Sequence, residues 1–153
     1  MRRFLTPFAC VAALALSAAA LAGNRSDGAL SVKNATGSVA VLGRGAVLGH
    51  CARCTVIIDD PNPDDGGVPV VVGWEETHQL SPTRTSWSGD GIRFKLIGGF
   101  FRVKIIGNGI DVGAVVTGQA VLDGQGAVAG AFALDDGPFT GMPGLRTVVQ
   151  LGS

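Results

Sequence analysis

The side chains best suited to chemistry lie in a few short stretches, and the most conspicuous is GHCARC, residues 49–54, a CxxC pair preceded by His50. Two cysteines at that spacing serve as a redox couple, as half of a metal site, or as a clip across a turn. A redox couple needs its first thiol acidified, usually at a helix N-terminus that follows a strand, and no helical stripe surrounds Cys51. Zinc needs four ligands, and the soft set after residue 22 is His50, Cys51, Cys54 and His78. Cys54 and His78 stand 24 positions apart, which matches no finger spacing. The expectation is therefore a Cys51–Cys54 disulfide, because the ends of a β-turn bring Cα atoms within about 7 Å.

The second stretch, DDPNPDDGG, sets Asp60, Asn62 and Asp64 at alternate positions, as the first oxygen ligands of a calcium loop are set. Asp65 stands where that loop needs its glycine, Gly66 comes one place late, and Pro61 and Pro63 stiffen the chain. A solvated acidic loop is expected rather than a calcium site. The third, WEETH, offers Glu75, Glu76 and His78 beside Trp74. Glycoside hydrolysis needs two carboxyls at a set separation, which one short segment does not supply. The fourth, GIDVGA, resembles the DTG-A turn of the aspartic proteases. Val112 replaces the hydroxyl residue of that motif, so Asp111 has neither the motif nor, within one chain, a second aspartate.

The strongest hairpin signal is IRFKLIGGFFRVKII, two alternating runs separated by Gly98 and Gly99. A turn there pairs Leu96 with Phe101, Phe94 with Val103 and Ile92 with Ile105 on an apolar face. Lys95 then opposes Arg102 and Arg93 opposes Lys104, so four cations crowd the other face. Such a cluster suits an anionic ligand, and Arg93, Lys95, Arg102 and Lys104 are the expected binding residues.

These stretches belong to a chain of 153 residues that opens with two arginines and an apolar run leading to LSAAALAG. That pattern reads as a secretory signal peptide over residues 1–22, cleaved before Gly23, which places the protein outside the cell or in the periplasm and envelope. The remaining 131 residues suffice for one domain, 23–153, with no transmembrane segment after cleavage. Without Arg2 and Arg3 the balance is 10 basic to 12 acidic residues, so no global field favours nucleic acid. Val and Ile recur in short alternating runs punctuated by 24 glycines, the signature of an all-β protein.

The chain also lies over itself without a gap: VAVLGRGAVLGHCARCTVIID from Val39 matches VKIIGNGIDVGAVVTGQAVLD from Val103. Gly43, Gly45, Gly49 and Asp59 meet Gly107, Gly109, Gly113 and Asp123, and RTSWSG from Arg84 resembles RTVVQLG from Arg146. Two duplicated halves, about 27–89 and 90–152, are each too small to bury a core alone. The expectation is a single pseudo-two-fold β-sandwich or small β-barrel. In that repeat Cys51 and Cys54 fall opposite Val115 and Gly118, so the cysteines decorate a turn the scaffold makes without them.

No GxSxG, HExxH, P-loop or dinucleotide fingerprint is present. The functional expectation is a secreted or envelope β-domain without catalysis or cofactor, structural or ligand-binding, with an anionic envelope component or polysaccharide as partner. The alternative is a small secreted hydrolase with its site at Asp111, His50 or Glu75, Glu76 and His78.

Overall fold

The computed structural model describes residues 27–152; the expected leader, its cleavage point and Cys10 lie outside them. Nine strands form: β1 (Gly28–His50), β2 (Arg53–Asp59), β3 (Val70–Val72), β4 (Glu76–Gln79), β5 (Arg84–Asp90), β6 (Arg93–Gly124), β7 (Ala131–Leu134), β8 (Thr140–Gly141) and β9 (Thr147–Leu151). Among the described residues the only helical element is a 3₁₀ turn, Pro63–Asp65, and no helix is long and apolar enough to cross a membrane.

All strands belong to one antiparallel sheet of order β4-β5-β2-β6-β1-β7-β8, with β3 and β9 also paired to β6. The path ends at β4 and β8 and does not close. Its organisation follows from two very long strands. Residues 37–50 of β1 lie between two stretches of β6, pairing Val39 with both Ile105 and Leu122, and Val47 with both Leu96 and Ala114. Alternation then assigns the faces, since successive side chains point to opposite sides. Val39, Val41 and Val47 of β1 join Val56 and Ile58 of β2 and Ile105, Ile110, Val116 and Leu122 of β6 in one buried cluster.

Segments that read as separate strands are continuous because glycine bends them where a larger residue would clash. At the crossing of β1 and β6, a Cβ on Gly118 would stand 2.1 Å from the Leu42 carbonyl oxygen, and one on Gly43 2.3 Å from that of Thr117.

The hairpin expected at Gly98 and Gly99 is absent. Both glycines have positive φ, 86° and 69°, as a turn would require, but the chain runs straight on. Ala46 pairs with Ile97 and Arg44 with Phe100, so β6 carries one extra residue there, a β-bulge. Both alternating runs pair with β1 instead of with each other. The face assignment survives: Ile92, Phe94, Leu96, Phe101, Val103 and Ile105 are buried, and the intervening cations are exposed. The expected pairings of Lys95 with Arg102 and Arg93 with Lys104 do not form. Asp65 holds the bulge, accepting a hydrogen bond from the Phe100 N–H at 3.1 Å and lying 3.5 Å from Arg44.

Candidate functional site

At the β1–β2 corner, Cys51 and Cys54 stand at disulfide distance, with Cα atoms 6.0 Å apart and both side chains buried. Backbone bonds fix this corner: Cys51 N–H to the Ile92 carbonyl at 3.0 Å and Ala52 N–H to that of Asn108 at 3.1 Å. His50 has its Nε2 3.3 Å from Asp111 Oδ2. His78 lies on β4 with Nε2 3.8 Å from Glu76. The four soft ligands therefore do not converge.

His50 and Asp111 are cross-strand neighbours and line a concavity with Ser31, Lys33 and Arg93. A His–carboxylate pair can shuttle a proton when the carboxylate is free to orient the imidazole. Here the other oxygen, Oδ1, accepts the Asn34 N–H at 2.9 Å, and Asn34 has φ of 47° at an irregular step in β1. Asp111 thereby bridges the Asn34 backbone and His50 through its two oxygens. Among the described residues no hydrogen bond joins Ser31 to His50.

Glu75 and Glu76 line a different open concavity, beside Arg53, Asp90 and Asn108. Arg53 and Asp90 form a bidentate pair at 2.8 and 3.0 Å. That pairing holds the Asp90 carboxyl below its ordinary range and raises the Arg53 guanidinium. Trp74 is exposed, whereas Trp87 packs against the core. The residues of the hydrolase reading are thus spread over two surfaces. In the acidic loop Asp60 accepts a hydrogen bond from the Asn62 N–H, and Asp64 is exposed on the 3₁₀ turn. Among the described residues, no group of three or more His, Cys, Asp or Glu side chains is placed to hold a metal ion.

The four expected cations divide in two. Arg93 and Lys95 lie before the bulge, opposite β3 and the end of β1; Arg102 and Lys104 lie beyond it, opposite β2. The second pair enters a basin of about 490 Å³ with two arginines that the hairpin reasoning missed, Arg84 at the start of β5 and Arg146 just before β9. Ala40, Leu42, Ile57 and Val121 supply apolar surface to the same basin.

Its one carboxylate is Asp59, at the end of β2 and 13% exposed. Asp59 accepts hydrogen bonds from Thr83 Oγ1 at 2.8 Å and Arg84 Nη2 at 3.0 Å. Burial pushes its carboxyl up, but these two bonds together with the charges of Arg84 and Arg102 outweigh burial and hold it below the ordinary range. Arg102, Lys104 and Arg146 form no salt bridge among the described residues. The two missed residues open the similar stretches RTSWSG and RTVVQLG, but nothing in either stretch shows that they meet.

Compared with known proteins, the chain matches no family model, no curated protein and no solved structure.

Proposed function

We propose that this chain is a non-catalytic secreted or envelope β-domain that binds an acidic envelope polysaccharide, or another anionic envelope component, in the basin of Arg84, Arg102, Lys104 and Arg146. The observation that carries this reading is the charge count: four cations face one carboxylate, and that carboxylate is already committed to Thr83 and Arg84. Anionic groups of a ligand would find the remaining cations unpaired, while its ring faces would lie on Ala40, Leu42 and Val121.

The proposal extends to a duplicated architecture. Its support is in the ladder: exchanging the halves, Asp59 forward and Arg102 back by 64 positions, turns their pairing into that of Asp123 with Ser38. Cys54 opposite Gly89 has its counterpart in Gly118 opposite Leu151, with an offset of 64 for the first partner and 62 for the second, the latter being the offset of Arg84 and Arg146. On this reading Arg84 and Arg146 are equivalent residues that approach the basin from opposite sides, which suits a chain-like ligand passing between them. The hydrolase alternative draws on the 3.3 Å His50–Asp111 contact, and the spread of its residues over two surfaces weighs against it.

The test is calorimetric titration of the secreted protein with oligogalacturonate at low salt. Wild type should bind, and the R102Q/K104Q/R146Q variant should bind about tenfold more weakly, at a few tenths of a kcal/mol or more per exposed charge. Equal affinity in a folded variant would remove the basin as the site. The localisation part is checked by the mass of the exported chain, which should begin at Gly23.

A further inference from the structure

A second surface carries an inference independent of the basin. On the outer face before the Gly98–Gly99 bulge, five branched aliphatics stand in solvent: Leu48, Val70, Val72, Ile97 and Val115, each about half exposed. The register places them together. Val70 and Leu48 flank Lys95 from either side, Ile97 lies two residues along β6, and Val115 lies across Ala46 from Ile97. With strands about 4.8 Å apart, they occupy a patch only a few strands wide.

Basic groups are set into this apolar surface. Lys95 is surrounded by Leu48, Val70 and Ile97, and Arg93 lies between Val72 and His50. Neither has a salt-bridge partner among the described residues. Of the nearby carboxylates, Asp111 is engaged by Asn34 and His50, and Asp65 by the Phe100 N–H and Arg44.

We infer that this face docks on an acidic phospholipid bilayer. Branched aliphatics would enter the boundary between headgroups and acyl chains, while Arg93 and Lys95 would lie at the level of the phosphates. A lysine ringed by aliphatics suits that boundary, since its stem can run along apolar neighbours while the ammonium reaches the polar layer. Protein partners, in contrast, are usually anchored by aromatic side chains seated in pockets, and this face presents aliphatics on a continuous sheet. The basin lies beyond the bulge and shares none of these residues.

The experiment is flotation of the secreted protein with phosphatidylcholine vesicles, with and without phosphatidylglycerol, at low salt. Flotation is expected only with phosphatidylglycerol, and R93Q/K95Q should weaken it roughly thirtyfold, at about fivefold per cation. L48S/I97S should also abolish flotation while lowering thermal unfolding only slightly, because both side chains are more than half exposed. Three results would overturn the inference: no flotation of wild type, undiminished flotation of R93Q/K95Q, or flotation lost instead in R102Q/K104Q/R146Q.

Discussion

Replacing Asp59 with asparagine should move stability and ligand affinity in opposite directions. Asparagine keeps the shape and still accepts the bond from Thr83, but it sets an amide where the carboxylate met Arg84 at 3.0 Å. One hydrogen bond to a charged group is lost, worth about 1.5–3 kcal/mol. Arg84 is 45% exposed and recovers part of its solvation, so a loss of about 2 kcal/mol is expected, or roughly 8 °C in Tm for a domain of this size. The same change deletes the basin's one negative charge. Repulsion of about 1 kcal/mol toward a bound anion disappears, so oligogalacturonate should bind about fivefold more tightly.

The pH dependence gives an internal check. An unfolded aspartate titrates near 3.9, and the folded Asp59 is held lower by Thr83, Arg84 and Arg102. Its stabilising contribution is therefore complete above the unfolded value and is lost as pH falls through the folded one. Scanning calorimetry of wild type and D59N should converge below about pH 4, where that loss begins. A folded D59N that binds the polyanion no more tightly than wild type would refute the placement of the ligand.

Further outcomes follow from the same geometry. Reducing Cys51 and Cys54 should add two hydrogens to the intact mass and cost about 2 kcal/mol or less, because the closed loop is so short. G118A should destabilise by about 3 kcal/mol in denaturant unfolding, since its Cβ would stand 2.1 Å from the Leu42 carbonyl oxygen. G113A should shift unfolding by less than about 1 kcal/mol, its nearest neighbour being Leu48 Cδ1 at 3.9 Å. D111A should lose about 1–2 kcal/mol by releasing the Asn34 N–H, whereas H50A should lose less than about 0.5. Ester or glycoside turnover abolished by H50A would restore the hydrolase reading.

The alternation in IRFKLI and FFRVKII was sufficient to sort inside from outside, because a period of two decides which side chains share a face whatever strand lies alongside. It could not identify the partner strand. Two glycines with positive φ serve a two-residue turn or a bulge equally well, and the choice depends on a third segment, residues 38–50, far away in sequence. Breaking a 32-residue strand into hairpins was the natural reading, since few strands exceed ten residues. The Cys51–Cys54 pairing was legible because it needs only local geometry. Arg84 and Arg146 were not, since their meeting depends on β5 and β9 approaching the basin from different sides.

The bulge also explains why one basic stretch yields two surfaces. Had Gly98 and Gly99 formed a tight turn, Arg93, Lys95, Arg102 and Lys104 would have opposed one another and needed a counter-charge simply to fold. Running on through a bulge, β6 sets Lys104 opposite Ile57 and Arg102 opposite Asp59, while Lys95 lies between Leu48 and Val70. The like-charge cost is avoided and each pair of cations acquires different company: a carboxylate and two more arginines on one side, exposed aliphatics on the other. Deleting Gly99 would remove the extra residue and leave β6 matched to β1 one-to-one, so that Leu96 and Phe101, opposite Val47 and Gly43, would still share a face. A protein with that deletion should keep cooperative unfolding with Phe94, Leu96, Phe101 and Val103 in the core, and lose about 2 kcal/mol or less with the Asp65 hydrogen bond to the Phe100 N–H; loss of cooperative unfolding would show that the bulge sets more than register.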